Sequence, residues 1–252
     1  MPDPLPVATA DPACNSVHLR GAGFAIAGRP ILSGLNLHLT ERRIGLIGRN
    51  GSGKSTFLRL VAGLIVPTSG TVRVADLDPA KDRKAMLSRI GILFQNPDHQ
   101  IIFPTVGEEL AFGLRQQGLD KAAATLTARS LLARHGRSHW ETQAVTALSQ
   151  GQRHFLCLLS VLAMQPHTIL LDEPFAGLDL PTQTRLDREL ASLSQRLILI
   201  THDPKALAGY DRVIWLEGGR VQADGAAGPV VAAFTAEMGR LGEVDADTDL
   251  TV

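Results

Sequence analysis

Gly48-Arg-Asn-Gly-Ser-Gly-Lys-Ser-Thr56 is the stretch that decides the fold, and it directly follows the apolar run Ile44–Ile47. Its three glycines allow the backbone to wrap around an anion with the N–H groups turned inward. Lys54 adds a positive charge and Ser55 a hydroxyl, which suit the outer phosphates and the Mg²⁺ of a nucleoside triphosphate. A helix that begins at Thr56 points its positive end at the same anion. The alternative, a glycine-rich turn that matches by chance, is disfavoured by the strand before it and the helix after it. The predicted phosphate-binding residues are Gly48, Asn50, Gly51, Ser52, Gly53, Lys54, Ser55 and Thr56.

An apolar strand that ends in two acids lies farther along the chain, in Thr168-Ile-Leu-Leu-Asp-Glu-Pro174. Asp172 is placed to hold a Mg²⁺-bound water, and Glu173 is placed to polarise the attacking water as a general base. A strand that merely ends in polar residues is the alternative, since such endings are common. Together with a phosphate-binding loop, the two acids predict nucleotide hydrolysis.

A second glycine-containing loop, Leu148-Ser-Gln-Gly-Gln-Arg153, opens a helix whose apolar residues recur at helical spacing. Ser149 is predicted to cap this helix, so that its hydroxyl and the N–H of Gly151 meet a γ-phosphate, with Gln152 beside them. One copy of the chain cannot close this loop on its own nucleotide, so the loop is predicted to act on a neighbouring subunit. An ordinary helix cap is the alternative.

Two further polar residues follow predicted strands, at the edge of an open α/β sheet where ligands bind. His202 follows Leu197–Ile200 and is predicted to contact the γ-phosphate and to orient the attacking water. Gln95 follows Ile92–Phe94 and is predicted to sense Mg²⁺ and the same water. A lone His or Gln is more often structural, so both predictions depend on the neighbouring motifs.

Short apolar runs predict the layers of the fold. Buried parallel strands are predicted at Ile44–Ile47, Ile169–Leu171, Leu197–Ile200 and Val213–Leu216. A flanking antiparallel sheet is predicted from Val17–Leu19, Leu35–Leu39 and Thr71–Val74. Helical spacing in 97–164 predicts a helical subdomain inserted into an α/β core of 16–96 and 165–225. The domain is predicted to span 16–242, between a loose tail at 1–15 and an acidic tail at 243–252.

The composition narrows the class of protein. Lys plus Arg and Asp plus Glu both number 25 in 252 residues, and a chain without a basic surplus is not expected to bind nucleic acid. No run approaches the ~20 apolar residues of a membrane span, so a membrane role is expected to come through a partner. Cys14 and Cys157 match no metal-site spacing and fit a reducing compartment.

Together these motifs resemble those of the ATP-binding subunits of ABC transporters, over about 16–225 and in the same order. The resemblance assigns Gly48–Ser55 to the Walker A loop, Gln95 to the Q-loop, Leu148–Gln152 to the signature, Thr168–Glu173 to Walker B, Gly177–Asp179 to the D-loop and His202 to the switch histidine. It implies an α/β P-loop NTPase fold with a RecA-like core. It also implies a dimer that clamps two ATP molecules head to tail, with Asp179 at the interface and with Ser55, Gln95 and Asp172 around Mg²⁺.

The stretch Phe94–Val106, followed by Glu108–Gly113, resembles the Q-loop region of the energy-coupling factor (ECF) group. The leader Glu41–Gly48 and the signature with Gln150 are most similar to those of biotin-transport ATPases, and cobalt and nickel uptake ATPases come next. The resemblance implies a homodimer of ATPase subunits, a transmembrane coupling (T) subunit and a substrate-binding membrane (S) subunit. The expected location is the cytoplasmic face of the plasma membrane, as a peripheral subunit.

Two positions depart from the family pattern. Ile26 occupies the place of an aromatic residue that stacks on adenine, which puts that stacking in doubt. Gln150 replaces a glycine of the signature, although Ser149 and Gly151 remain. Ile101–Phe103 has two interpretations, a groove for the membrane partner or the core of the helical subdomain. The basic residues Arg129, Arg134 and Arg137 suit lipid head groups less well than a solvated helix face.

Two other functions are weighed against transport. A soluble ABC-type ATPase acting on DNA or ribosomes usually carries a coiled-coil insertion, a fused second cassette or a basic face, and the sequence has none of these. A small-molecule kinase would share the P-loop, but the signature helix and the pair Asp172–Glu173 argue against it.

Overall fold

The computed structural model describes residues 16–248, with side chains up to Gly242. The predicted tail 1–15, with Cys14, lies outside the described residues. The parallel strands come from five separate segments: β3 (Arg43–Ile47), β5 (Ile90–Leu93), β6 (Thr168–Asp172), β7 (Arg196–Thr201) and β8 (Arg212–Glu217). With β9 (Arg220–Ala226) they form a six-stranded sheet in the order β5-β6-β7-β3-β8-β9. Only β9 pairs antiparallel within this sheet.

A second, three-stranded sheet is antiparallel throughout, in the order β2-β1-β4. Its strands are β1 (Val17–Ile26), β2 (Arg29–Leu39) and β4 (Ser69–Val74). Register shifts interrupt β1 around Gly21 and Gly23, which explains why the apolar pattern predicted only its first residues.

Helices connect and cover the strands. Their bounds are α1 (Lys54–Val61), α2 (Arg83–Met86), α3 (Val106–Gln116), α4 (Lys121–Arg134), α5 (Gln150–Ala163), α6 (Leu180–Ser192) and α7 (Ala227–Thr248). The longer helices between β5 and β6, which are α3, α4 and α5, pack against one another within the predicted helical subdomain. Helix α1 begins two residues before the predicted Thr56. Helix α7 runs six residues into the predicted acidic tail, so the segment 243–248 is helical rather than loose.

The parallel sheet separates two hydrophobic cores, and alternate residues of its strands face opposite sides. Leu171, Leu199 and Trp215 pack on the side of α5 and α7. Leu170 and Ile200 pack on the side of α1 and the antiparallel sheet. Coverage of both faces explains the continuous apolar runs that predicted these strands. The fold class predicted from the sequence is confirmed.

Candidate functional site

The P-loop connects β3 to α1 and is held in shape by its glycines. Gly51 has φ 79° and Gly53 has φ 102°, a left-handed region in which other residues are strained. A side chain at Gly48 would clash with the Leu216 carbonyl of β8. The strand β3 and the helix α1 therefore present the loop amides at the carboxyl edge of the sheet, where an anion meets the positive end of α1.

Lys54 lies under this loop and is almost fully buried. Its Nζ donates to the carbonyl oxygens of Gly48, at 2.6 Å, and Arg49, at 2.9 Å. Burial lowers the pKa of Lys54, and the nearby carboxylates of Glu173 and Asp172 partly oppose that effect. The ammonium is thus fixed in a cleft that also holds two acids.

Asp172 ends β6 beside the P-loop, and its Oδ1 accepts a hydrogen bond from the Ser55 hydroxyl at 3.4 Å. Burial raises the pKa of Asp172, against the effect of the Ser55 hydrogen bond. A partly buried carboxylate next to a hydroxyl is an oxygen donor set that Mg²⁺ prefers. Ser55 and Asp172 therefore fit the predicted ion.

Glu173 adopts φ 48°, and its N–H donates to the Ile200 carbonyl at 2.9 Å, which ties the turn after β6 to β7. Its Oε1 lies 2.8 Å from Nδ1 of His202, and its Oε2 accepts from the Thr201 hydroxyl at 3.3 Å. Both carboxylate oxygens of Glu173 are therefore oriented by residues at the end of β7. A left-handed non-glycine residue at the end of a strand stores strain of the kind that clusters at active sites.

These residues line one cleft of about 460 Å³, which we call the P-loop cleft. Its predicted members are Asn50, Gly51, Gly53, Lys54, Ser55, Thr56, Gln95, Asp172, Glu173 and His202. Gly48 and Ser52 are not lining residues, because Gly48 packs against β8 and the Ser52 side chain is buried. Ile31, from β2, lines the cleft although no sequence pattern identified it. Ile26 is not a lining residue, and its side chain is 59% exposed.

The signature residues lie at the start of α5 and line a separate cavity of about 140 Å³, the signature cavity, formed by Ser149, Gly151, Gln152, Arg137, Thr182 and Arg185 with their neighbours. Ser149 caps α5 as predicted: its Oγ accepts from Gln152 N–H at 3.3 Å, and Gln152 Oε1 accepts from Ser149 N–H at 2.8 Å. Gln150 is exposed and does not line the cavity. Within one chain, the signature cavity and the P-loop cleft are therefore separate.

Asp179, predicted to contribute to nucleotide binding at a dimer interface, caps α6 within the single chain. Its Oδ1 accepts from Thr182 N–H at 3.0 Å, and the hydrogen bonds with Thr182 lower the pKa of Asp179. Among the described residues that line either cavity, Asp179 is not included. Its capping role explains an acid at this position without a nucleotide.

His154 is a residue that the sequence motifs did not identify. It is buried on α5, and its Nε2 lies 3.1 Å from the Gln95 carbonyl oxygen. Since a carbonyl only accepts, Nε2 carries the proton, and Nδ1 is left buried without a hydrogen-bond partner in the described residues. Burial lowers the pKa of His154. His154 thus fastens the signature helix to the backbone of the predicted Q-loop.

The two interpretations of Ile101–Phe103, part of the core or part of a docking groove, apply to different residues of the segment. Ile101 packs against the hydrophobic core, whereas Ile102 is 68% exposed. The buried carboxylate of Glu109 accepts from the N–H groups of Ile102, at 2.9 Å, and Phe103, at 3.0 Å. Glu109 therefore holds an exposed apolar side chain at a fixed place on the surface.

Two of the three basic residues considered for lipid head groups, Arg129 and Arg137, have contacts within the chain. Arg129 donates to Glu141, and the Arg137 guanidinium lies over the Trp140 ring at 5.2 Å. They form a solvated helix face and a wall of the signature cavity rather than one patch.

Comparison with known proteins identifies the family to which the chain belongs. The sequence model of the family described as ABC transporter matches residues 32–176. The chain belongs to the ABC transporter ATP-binding family. Accordingly, this ABC ATPase binds and hydrolyses ATP as a subunit of a transporter.

Individual relatives are similar over nearly their whole length. The chain is 52% identical to the biotin transport ATP-binding protein BioM of Rhodobacter capsulatus, over 87% of this chain and 94% of that protein. It is 40% identical to BioM of Rhizobium etli, over 87% and 97%. The solved structure of CbiO1 from Clostridium perfringens, described as part of the ABC transporter complex CbiONQ, has a TM-score of 0.73 and 27% identity and covers 90% of this ABC ATPase and 97% of its own chain. Within residues 16–248, no helix is long and apolar enough to cross a membrane.

Proposed function

We propose that this ABC ATPase powers an ECF-type importer for biotin. The 52% identity to a protein named for biotin transport, sustained over 87% of the chain, carries the proposal. The 27% identity to a subunit of the complex CbiONQ supports a multi-subunit importer of this kind. Cobalt, nickel or another vitamin is the alternative cargo.

The ATP molecules lie between two copies of the chain. The P-loop cleft of one copy faces the signature cavity of the other, because each chain carries both half-sites in separate places. Ser149 and Gly151 then bind the γ-phosphate held by the partner's P-loop. A homodimer completes two equivalent sites.

In each site the chain's own residues have distinct roles. Glu173 takes the proton of the attacking water, and its 2.8 Å contact lets His202 hold both that carboxylate and the γ-phosphate. Lys54 and the P-loop amides stabilise charge on the transferred phosphoryl group. Mg²⁺, held by Ser55 and Asp172 with Gln95 nearby, supplies further charge neutralisation when bound. Asp179 lies at the interface between the two chains.

The membrane partners are a T subunit and an S subunit that binds biotin. Ile102 protrudes beside an open cleft of about 340 Å³, in which the Phe103 and Phe112 rings lie 5.1 Å apart. The other lining residues are Leu119 and the polar or charged Arg115, Gln116, Asp120 and Lys121. An apolar protrusion next to a cleft with apolar and charged walls suits an amphipathic helix of the T subunit. Bound to the T subunit in this way, the ATPase lies peripherally on the cytoplasmic face of the plasma membrane.

Co-purification tests this assignment. A tagged Glu173→Gln variant is trapped with ATP in the host membrane, solubilised in mild detergent and isolated, with an Ile102→Asp variant as the matched control for docking. We expect two polytopic membrane proteins with retained biotin, and their loss from the Ile102→Asp sample. Retained cobalt or nickel ions would favour the alternative cargo. Recovery of soluble or nucleic-acid-bound partners alone would refute the proposal.

A further inference from the structure

His154 lies between the two cavities of the chain. It is in the first turns of α5, shortly after the cap Ser149, and its side chain is only 1% exposed. His154 is a lining residue of the signature cavity, while its Nε2 donates to the carbonyl oxygen of Gln95 at 3.1 Å. Gln95 in turn lines the P-loop cleft. One buried ring therefore borders the first cavity and holds the backbone of the second.

Packing alone does not explain a histidine at this position. Its neighbours on α5, such as Phe155, Leu156 and Leu158, are apolar and buried. Nδ1 of His154 is also buried and has no hydrogen-bond partner in the described residues, and an unsatisfied buried acceptor opposes folding. A phenylalanine ring would fill similar space without burying a polar atom. What a histidine adds here is the Nε2–H donor.

The contact fixes a short segment between two regular elements. Gln95 follows the end of β5 and precedes the helical turn Pro97–His99. A second contact ties the same segment to α5, because Nε2 of Gln100 donates to the Cys157 carbonyl oxygen at 3.4 Å. His154 and Cys157 lie on the same face of the helix, one turn apart. The segment is therefore held to one face of α5 at two points.

A fixed backbone decides where the Gln95 side chain can reach. Gln95 is exposed, so the walls of the cleft do little to restrict its rotamers. Such a side chain delivers its amide to one place only when its own backbone is held, because free rotation otherwise spreads it over many positions. His154 holds that backbone from α5. The place of the Gln95 amide therefore depends on the place of the signature helix.

We propose that His154 is a positioning residue, which holds the backbone of Gln95 so that the Gln95 amide reaches the Mg²⁺ and the attacking water in the P-loop cleft. This role rests on the hydrolytic mechanism proposed above. It makes the chemistry in the P-loop cleft of a chain depend on the position of that chain's own α5.

Three substitutions in the full chain separate the donor from the packing of the ring. His154→Phe keeps a ring and removes the donor, whereas His154→Gln places an amide N–H close to the position of Nε2. His167→Phe is the matched control, because Nδ1 of His167 contacts the Ser88 carbonyl oxygen at 2.8 Å and His167 is not among the described residues that line either cavity. Thermal unfolding establishes that each variant is folded. If His154→Phe is not, His154→Asn replaces it, since its shorter amide cannot reach the carbonyl.

Two quantities are measured. The first is kcat for ATP hydrolysis. The second requires no turnover: it is the ratio of the Kd values for a fluorescent ATP analogue with EDTA and with Mg²⁺, in the Glu173→Gln background. We expect His154→Phe to lower both kcat and this ratio about tenfold and to leave the Kd in EDTA unchanged. We expect His154→Gln to recover kcat to within about threefold of the parent, and His167→Phe to match the parent.

A Gln95→Ala chain shows whether His154 acts through the Gln95 side chain. In that background His154→Phe should have no further effect, because the two residues work as one unit. Parent-like values for folded His154→Phe would overturn the role of His154 alone, as would an equal loss with and without the Gln95 side chain. If Gln95→Ala itself matches the parent, the proposed role of Gln95 is wrong and this inference is overturned with it. If the parent does not hydrolyse ATP, the mechanism fails and the Kd ratio alone decides the role of His154.

Discussion

Replacement of Glu173 by Gln isolates the chemical step from nucleotide binding. The carboxylate contacts His202 at 2.8 Å and Thr201 at 3.3 Å, and an amide of the same shape can keep both contacts. It cannot accept a proton from water at neutral pH. A positioned general base contributes about 10²- to 10⁴-fold, so we expect kcat to fall by that factor, or about 3–5 kcal/mol in the barrier.

The same substitution should not weaken ATP binding. Glu173 is one of the carboxylates that act on Lys54 in the P-loop cleft, and its negative charge repels a triphosphate. Its removal should leave the Kd for ATP unchanged or lower it. The two quantities are measured by single-turnover hydrolysis and by fluorescent-nucleotide titration. Thr201→Val is the matched control, because it removes the hydroxyl that donates to Glu173 and accepts from Asp203 N–H but keeps the carboxylate, and its kcat should fall by less than about tenfold.

Two results would contradict this reasoning. A Glu173→Gln chain that hydrolyses ATP within about tenfold of the parent would mean that another group takes the proton. A folded variant that binds ATP much more weakly would mean that Glu173 shapes the cleft rather than acting on water.

Three further outcomes are expected. Ser149→Arg should abolish ATP-dependent dimerisation in size-exclusion chromatography and leave monomer ATP binding intact; a normal dimer would contradict the sandwich. In a Cys14→Ser background, Cys157 should react with a thiol reagent only after denaturation, because burial raises the pKa of Cys157 and shields its sulfur. Arg212→Ala should lower the free energy of unfolding by about 2 kcal/mol at pH 7, since it breaks the contacts with Asp224 at 2.6 Å and with Glu41 at 3.1 Å. Burial alone would raise the pKa of Glu41, but backbone hydrogen bonds and Arg212 outweigh it and lower that pKa. The stabilisation from the Glu41–Arg212 pair is therefore present at neutral pH and lost as the pH falls. If the urea midpoints of the parent and Arg212→Ala differed by the same amount at acidic and neutral pH, this coupling would be excluded.

Local chemistry explains which parts of the fold could be predicted from the sequence. The strands around Leu46 and Leu170 are buried on both faces, so their apolar runs are unambiguous. The P-loop glycines are specified by positive φ at Gly51 and Gly53, which few other residues tolerate. At such positions, the local structure is determined by residues that lie within a few positions in the sequence.

Other features depend on contacts between distant segments. His154 acquires its role only because α5 packs against the segment that carries Gln95, 59 residues away. Asp179 matches a motif, yet in the single chain its carboxylate completes a helix end. Helix α7 has a weak apolar pattern and depends on packing of Phe234 against Trp215 for its place. No periodicity within these segments reports those contacts.

The two hydrogen bonds of Lys54 affect how tightly the loop can bind a nucleotide. An ammonium has three N–H donors, and the carbonyls of Gly48 and Arg49 engage two of them. The third can meet a phosphate oxygen while both carbonyl contacts persist. The rotamer freedom of a long side chain, which costs up to about 2 kcal/mol to restrict, is therefore already lost when the loop folds. An incoming triphosphate encounters a rigid charge, and little of its binding free energy is spent on ordering the lysine.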